Sequence, residues 1–276
     1  MAALNAWLAT IADRLDAAFV DARQIPGIRA TDPAFDVAGA YEVLAELHAR
    51  RIARGWRPLG RKIGFTNTTL WRRYGVDRAM WSHVWDRTVQ DATDGHATMP
   101  LDGLMEPRIE PEIVFGLAGP LPDGDDPVEA LRAVAWLAPG FEIVQSPFPD
   151  WRFTAADVAA AYGLHGRLAV GPRVAIDDTN RARVAADLPS MGVSLLHGDT
   201  LVDSGTGANV LGSPVLALMH LRDVLAKQPW APPLAAGEIV TTGTLTDAHP
   251  VLPGETWRAK YGALGLGGLS ATMRKV

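Results

Sequence analysis

The sequence predicts an α+β protein in which a mixed β-roll or sandwich is decorated by a few helices. Residues 1–80 are rich in helical patterns, whereas residues 81–276 change to short β-like runs divided by glycine and proline. Only three helical segments interrupt those runs, which is too few for strict β-α alternation and argues against a parallel doubly wound sheet. The chain therefore divides into a small helix-rich N-terminal lobe, 1–80, and a β-rich domain, 81–276.

Periodicity and turn residues predict the elements of the lobe. Apolar residues recur at helical spacing from Leu4 to Phe19, which is typical of an amphipathic helix. Asp36 is a suitable N-cap for a second helix and Gly55 a suitable end. The predicted elements are a helix over 3–22, a helix over 37–54, an extended run over 58–65, and a brief helix that begins at Thr66 or Asn67 and ends before Gly75.

Beyond residue 80 the pattern predicts mainly strands. Runs rich in β-branched and aromatic residues, bounded by turn residues, are the signal used here. The candidate strands are 108–117, 141–145, 167–170, 192–196, 200–204, 238–242, 256–261 and 269–273. Three helices are also predicted. The first begins at the capping pair 126–127, the second covers 154–161, and the third covers 213–227.

Composition excludes several classes of protein. The 276 residues include 26 Lys and Arg and 31 Asp and Glu, which gives a net charge of −5. No general attraction to nucleic acid or anionic membranes is therefore expected. The N-terminus lacks the pattern of a signal peptide and no long apolar run is present, which predicts a cytoplasmic location. The absence of cysteine excludes disulfides, thiolate nucleophiles and Cys-based metal sites.

Several motifs that would indicate other chemistry do not occur. The sequence has no G-x-S-x-G nucleophile elbow and no H-E-x-x-H zinc motif among its seven histidines. The glycine-rich run 262–268 lies too close to the C-terminus to be followed by a phosphate-binding helix. It is predicted to be a turn between the last two strands.

Three glutamates predict a site for a hard metal ion. In the strand 108–117, alternation places Glu110 and Glu112 on one face. Such a pair is usually a solvated strand face, but Glu142 lies in a short run that is otherwise apolar enough for the core. A buried, ionised carboxylate needs a cation or a proton. Three oxygen ligands without cysteine or clustered histidine match Mg²⁺ or Mn²⁺.

Eight short runs of the sequence form an ordered series of motifs. They are GRKIGFT at 60–66, YGVD at 74–77, PRIEPEI at 107–113, EIV at 142–144, DW at 150–151, GTGANVLGSP at 205–214, TTGTLT at 241–246 and PGE at 253–255. With these runs the sequence resembles the 2-oxopent-4-enoate hydratase and 4-oxalocrotonate decarboxylase group of the fumarylacetoacetate hydrolase superfamily. The resemblance extends from about residue 40 to the end of the chain, with the motifs in the family's order.

The resemblance implies a fold and a set of site residues. The fold is a β-roll of the fumarylacetoacetate hydrolase C-terminal type, which makes 81–276 the catalytic domain. The family's E-x-E…E site for Mg²⁺ or Mn²⁺ falls on Glu110, Glu112 and Glu142. Lys62 and Ile63 of the G-x-K-I-G motif and Thr244 of the T-G-T turn would bind substrate, with Lys62 also catalytic through contact with carboxylate or enolate oxygens.

Two stretches differ from the family pattern. The run AMWS at 79–82 stands where members carry Pro-Asp-(Tyr/Phe)-Gly, and AAYGLHG at 160–166 replaces Ala-Asp-Asn-Ala-Ser-Ser-Gly. His83 and His165 are therefore candidate catalytic acid–base groups, because imidazole titrates near neutral pH. Either could equally be a hydrogen-bonded structural histidine.

The activity implied is that of a metal-dependent hydratase, a lyase acting on a 2-hydroxy-2,4-dienoate or 2-oxo-4-enoate in aromatic catabolism. The same site suits a 2-oxo acid decarboxylase or an acylpyruvate-type C–C hydrolase. A decarboxylase substrate would need a second acid-binding group, for which Arg72, Arg73 and Arg78 are candidates. A catalytically silent partner subunit is the non-enzyme alternative. A homo-oligomer is expected, which could associate with a pathway decarboxylase or hydratase.

Overall fold

The computed structural model describes residues 5–228, 230–262 and 264–275. The first two residues of the predicted helix 3–22 lie outside this part of the chain. The α-helices of the described residues are α1 Ala6–Val20, α2 Ile28–Thr31, α3 Val37–Ala53, α4 Trp71–Tyr74, α5 Pro127–Ala130, α6 Ala155–Ala160, α7 Arg181–Asp187 and α8 Pro214–Ala226. Within these residues, no helix has the length and apolar character needed to cross a bilayer.

Two mixed sheets contain the strands of the described residues. The strands are β1 Pro58–Gly64, β2 Met80–Trp85, β3 Val89–Asp91, β4 His96–Pro100, β5 Arg108–Leu117, β6 Val134–Val144, β7 His165–Val170, β8 Val174–Ala175, β9 Gly192–His197, β10 Thr200–Thr206, β11 Ile239–Thr241, β12 His249–Pro250, β13 Thr256–Tyr261 and β14 Leu269–Arg274. The larger sheet has the order β2-β1-β11-β5-β6-β7-β3, with β12 beside β5 and β8 beside β6; the smaller has the order β10-β9-β13-β14-β4. These two sheets with few helices confirm the predicted α+β class.

The two long N-terminal helices α1 and α3 pack on each other, and α3 also packs on α6. Leu8, Ile11 and Leu15 form the buried stripe of α1, which packs on α3, as the helical periodicity predicts. The side chain of Asp36 accepts a hydrogen bond from Gly39 N at 2.9 Å and so caps α3 as predicted. Strand β1 follows α3 in the chain and pairs with β2 and β11. The division of the chain at residue 80 remains a proposal.

Strand β6 is longer than the sequence predicts. It begins at Val134, seven residues before the predicted start at Phe141. The predicted start was too late because Pro139 and Gly140 are typical of a turn. In the sheet, Gly140 instead makes room for a neighbour: a Cβ there would lie 2.6 Å from Val114 Cγ2. The prediction also missed β2, since all six of its residues are buried and it therefore lacks alternation.

Candidate functional site

The three predicted glutamates come together where β5 and β6 pair. Glu110 and Glu112 share one face of β5, and Glu110 lies opposite Glu142 in the antiparallel register. One oxygen from each carboxylate lies within 4.8 Å of the other two. Glu112 and Glu142 are completely buried, whereas Glu110 is partly exposed. The arrangement is a triad of oxygen donors on neighbouring strands.

The hydrogen bonds of the triad are incomplete. Gly243 N donates to Oε2 of Glu112 at 2.8 Å, but Oε1 of Glu112 is buried without a hydrogen-bond donor in the described structure. Leaving a buried acceptor unsatisfied costs about 1–3 kcal/mol, and more for a charged group. Hard divalent cations take carboxylate oxygens as ligands, so these residues fit Mg²⁺ or Mn²⁺.

Lys62 supplies the positive charge of the site. Its Nζ lies 3.0 Å from Oε2 of Glu142 and donates to the carbonyl oxygen of Gly163 at 2.9 Å. Two glycines surround this side chain: a Cβ on Gly64 would lie 3.0 Å from Nζ, and one on Gly163 would lie 3.3 Å from Cδ. The buried ammonium therefore fits because its neighbours are small.

The charges of the triad are unequal. Loss of solvent raises the pKa of Glu110 to about 7 against the opposing effect of Lys62. Burial together with the neighbouring carboxylates raises the pKa of Glu112 well above its usual range. Burial acts in the same direction on Glu142, but Lys62 and a hydrogen bond from His165 outweigh it and lower the pKa to about 2. Glu142 is thus the carboxylate most readily ionised.

His165 contacts Glu142 of the triad but does not face the pocket. Its Nδ1 lies 2.7 Å from Oε1 of Glu142 and its Nε2 lies 2.8 Å from Oγ1 of Thr88. Burial lowers the pKa of this imidazole, although Glu142 opposes the shift. Both ring nitrogens are occupied by protein partners and the side chain does not line the pocket.

The remaining predicted residues divide between the pocket and the far side of β1. Thr244 lines the pocket. Strand alternation directs the side chain of Ile63 away from Lys62 and into the hydrophobic core. His83 lies opposite Arg61 in the register of β1 and β2, also on the face away from Lys62, where its ring stacks on His48 with centroids 3.6 Å apart. The structure therefore does not bring His83 or the Ile63 side chain to the triad.

A pocket opens beside Lys62 and Glu110. Its apolar lining consists of Phe65, Leu70, Tyr74, Val144, Trp151, Leu164 and Ala248. None of these seven residues is predicted from the sequence to have a role in the site. The matched motifs contain Phe65, Tyr74, Val144 and Trp151, but a motif does not show which residues meet in space.

Several residues of the pocket wall have left-handed backbone. Phe65 has φ 56°, Trp151 has φ 56° and Leu164 has φ 64°. Such conformations cost about 1–3 kcal/mol for residues with a side chain and tend to cluster at binding and catalytic sites. Their presence in this wall supports a functional pocket.

Curated proteins resemble this chain over most of its length. It is 32% identical over 266 residues to a protein from Pseudomonas sp. named 4-oxalocrotonate decarboxylase, covering 96% of this chain and 98% of that protein. It is 32% identical over 257 residues to 2-keto-4-pentenoate hydratase from Paraburkholderia xenovorans (strain LB400), covering 92% of this chain and 91% of that protein. A scan against protein-family models finds no match.

Solved structures agree with these similarities. 4-oxalocrotonate decarboxylase from Pseudomonas putida G7, complexed with magnesium and adipate, is 26% identical and superimposes with a TM-score of 0.85 over 97% of both chains. Fumarylpyruvate hydrolase from Pseudomonas aeruginosa, in complex with Mn²⁺ and pyruvate, has a TM-score of 0.58 at 16% identity, covering 80% of this chain and 90% of that chain. The second similarity concerns the fold alone.

Proposed function

The chain belongs to the 2-oxopent-4-enoate hydratase and 4-oxalocrotonate decarboxylase group of the fumarylacetoacetate hydrolase superfamily, and we propose that it is a divalent-metal-dependent hydratase. The substrate is a 2-hydroxy-2,4-dienoate or its 2-oxo-4-enoate form, of the kind produced during aromatic catabolism. The apolar wall of the pocket is the observation that favours a hydratase over a decarboxylase within this group.

Glu110, Glu112 and Glu142 would hold Mg²⁺ or Mn²⁺. The unsatisfied Oε1 of Glu112 and the grouping of three carboxylates, with no softer sulfur or nitrogen ligand among them, support this assignment. A cation bound there supplies a Lewis acid and a template for the substrate's carboxylate and C2 oxygen. The solved 4-oxalocrotonate decarboxylase complex with magnesium supports the choice of a divalent cation.

Lys62 is the proposed catalytic residue of the chain. Negative charge develops on the C2 oxygen while the dienol and ketone forms interconvert, and a fixed ammonium in a buried site stabilises that charge. Glu142 and the Gly163 carbonyl hold Lys62 in place, so little reorganisation is needed during the reaction. Loss of the enol O–H proton together with protonation at the distal carbon gives the unsaturated ketone, and water then adds across its remaining C=C bond.

The lining of the pocket favours a substrate with an uncharged tail. Lys62 is the only cationic side chain among the lining residues of this pocket in the described structure. Two of the arginines considered for a second acid group are engaged at the surface: Arg73 pairs with Asp247 at 2.8 Å and Arg78 pairs with Asp77 at 2.8 Å. A second carboxylate would therefore meet mainly aromatic and aliphatic groups, at a high desolvation cost.

One observation supports a 4-oxalocrotonate-type decarboxylase as second candidate. Arg108 donates to the hydroxyl of Tyr74 at 3.1 Å, and its guanidinium lies 4.2 Å from the ring centroid of Trp151. It forms no carboxylate ion pair within the described residues. Arg108 therefore lies directly behind two pocket residues and would bind a distal carboxylate if the Tyr74 side chain moved aside.

A substrate panel tests the proposal. 2-Hydroxypenta-2,4-dienoate and 4-oxalocrotonate are incubated with purified protein and Mg²⁺, and the loss of ultraviolet absorbance is followed by product identification. A hydratase converts the first compound to a 4-hydroxy-2-oxo acid; release of carbon dioxide from the second with no turnover of the first would instead identify a decarboxylase. Glu112→Gln is the control for metal-dependent turnover.

The predicted homo-oligomer, its association with a pathway enzyme and the cytoplasmic location remain predictions.

A further inference from the structure

Thr88 contacts His165 on the side opposite Glu142. Thr88 follows β2, and its Oγ1 lies 2.8 Å from Nε2 of His165, while Nδ1 of the same ring lies 2.7 Å from Oε1 of Glu142. All three side chains are buried. The hydroxyl, the imidazole and the carboxylate thus form a continuous hydrogen-bonded chain that ends at the proposed metal centre.

The other contacts of Thr88 leave two acceptors for its hydroxyl proton. The hydroxyl accepts from Trp85 N at 3.2 Å and lies 3.0 Å from the carbonyl oxygen of Trp85, which also accepts the backbone N–H of Thr88 at 2.9 Å. A carbonyl oxygen has two lone pairs, so the hydroxyl proton can go to that oxygen or to Nε2 of His165 if this nitrogen carries no proton.

The contact with Glu142 decides which nitrogen of a neutral His165 carries the proton. If a neutral His165 carried its proton on Nε2, the lone pair of Nδ1 would face a carboxylate oxygen across 2.7 Å, and two acceptors at that distance repel. With the proton on Nδ1, the ring donates to Glu142 and accepts from Thr88, so every group in the chain is satisfied.

We propose that Thr88 is a positioning residue that donates to Nε2 of His165 in its Nδ1–H tautomer and so orients the ring, which lets His165 hold Oε1 of Glu142 and leaves Oε2 facing Lys62 and the other carboxylates. His165 is then a positioning residue too, rather than the acid–base group predicted from the sequence. The tautomer stands on geometry alone; its consequence for metal binding rests on the proposed function.

The proposal predicts a measurable contribution to metal affinity. Partners that orient a metal-ligating side chain typically change affinity by about 10–100-fold when removed. Thr88→Val keeps the shape of the side chain but cannot donate, whereas Thr88→Ser keeps the hydroxyl. Thr272→Val is a control that removes a threonine hydroxyl from the second sheet, where it contacts Thr256.

The first measurement is ¹⁵N NMR of histidine-labelled, metal-free protein at mildly alkaline pH, with the His165 signals assigned by their loss in His165→Gln. Wild type, Thr88→Ser and Thr272→Val should show a protonated Nδ1 and a hydrogen-bonded, unprotonated Nε2, and Thr88→Val should keep the Nδ1 proton but lose the hydrogen-bonded shift of Nε2. A protonated Nε2 in neutral wild-type His165 would overturn the proposal, and this result does not depend on how any variant folds.

The second measurement is Mn²⁺ affinity from the electron paramagnetic resonance signal of the free ion. Thr88→Val should bind Mn²⁺ about 10–100-fold more weakly, and Thr88→Ser and Thr272→Val should stay close to wild type. Wild-type affinity in a folded Thr88→Val protein would overturn the positioning role. Failure of wild type to bind Mn²⁺ would contradict the proposed metal-dependent function, while the NMR result would still decide the tautomer.

Discussion

Lys62 and Glu142 form a buried ion pair, with Nζ 3.0 Å from Oε2 and both side chains almost inaccessible to solvent. A pair of this kind is weak evidence for stability, because desolvation offsets most of the attraction. Its effect here is to keep one of three neighbouring carboxylates ionised. The same ammonium lies on the pocket wall, so the pair links the triad to the space a substrate would occupy.

Replacement of Lys62 should reduce catalysis much more than binding of the metal. Lys62→Met keeps most of the side-chain volume but removes the charge that stabilises a developing oxyanion, and kcat/KM should fall by about 10²–10³-fold. The measurement is steady-state turnover of the dienoate at saturating Mg²⁺. Lys260→Met, an exposed position on β13, is the control and should match wild type. Activity within a few-fold of wild type in Lys62→Met would exclude a catalytic role.

Metal should stabilise the folded protein through the glutamate triad. A ligand that binds only the folded state adds about 2.7 kcal/mol at 100 times its Kd, so Mg²⁺ or Mn²⁺ should raise Tm in a thermal scan. Glu112→Gln should lose this shift, because the substitution removes a ligand charge at a fully buried position. Glu129→Gln, at an exposed position in α5, is the matched control. A wild-type Tm that is unchanged by Mg²⁺ and by Mn²⁺ would contradict the proposed metal site.

Much of the triad could be predicted from local sequence. Alternation places Glu110 and Glu112 on one strand face without knowledge of the fold, and a glutamate inside an apolar strand such as 141–145 needs a partner. The contact of His165 with Thr88 could not be predicted, because the two residues lie 77 positions apart and meet only when β3 pairs with β7. Sequence patterns carry little information about such long-range packing.

The shape of the pocket was also beyond sequence reasoning. Phe65, Trp151 and Leu164 have positive φ, a conformation that local preferences disfavour for bulky residues. It persists only where the surrounding structure stabilises it. Turn signals point to glycine at such positions, so a prediction made from local propensity does not find them.

Gly64 should be intolerant of even a methyl group. Its backbone is ordinary strand, but a Cβ there would lie 3.0 Å from Lys62 Nζ, and the ammonium would have to move by a few tenths of an ångström. Since a displacement of 1 Å can cost about 10²-fold in rate, Gly64→Ala should lower kcat/KM by about three- to tenfold with Tm near wild type. Gly192→Ala, with open space around its Cβ position, should change neither quantity; equal activity in both variants would contradict the argument.

Metal binding should strengthen as the pH rises through neutrality. The pKa of Glu110 is about 7 and that of Glu112 is raised well above its usual range, so a cation must displace protons from both carboxyls. The rise in Tm caused by Mg²⁺ should therefore be larger at about pH 8 than at about pH 6. Equal shifts at the two pH values would contradict this protonation of the triad.

The metal-free protein should show the opposite dependence of stability on pH. Glu110 has a folded pKa of about 7 against an ordinary value of 4.5, so the native state holds more protons than the unfolded state between those values. Its contribution is complete below 4.5 and is lost as the pH rises through about 7. Glu142, lowered to about 2, contributes above 4.5 and is lost only as the pH falls toward 2. Thermal scans in chelator should thus show Tm falling between about pH 5 and about pH 8, and Glu110→Gln should flatten that slope because its amide does not titrate.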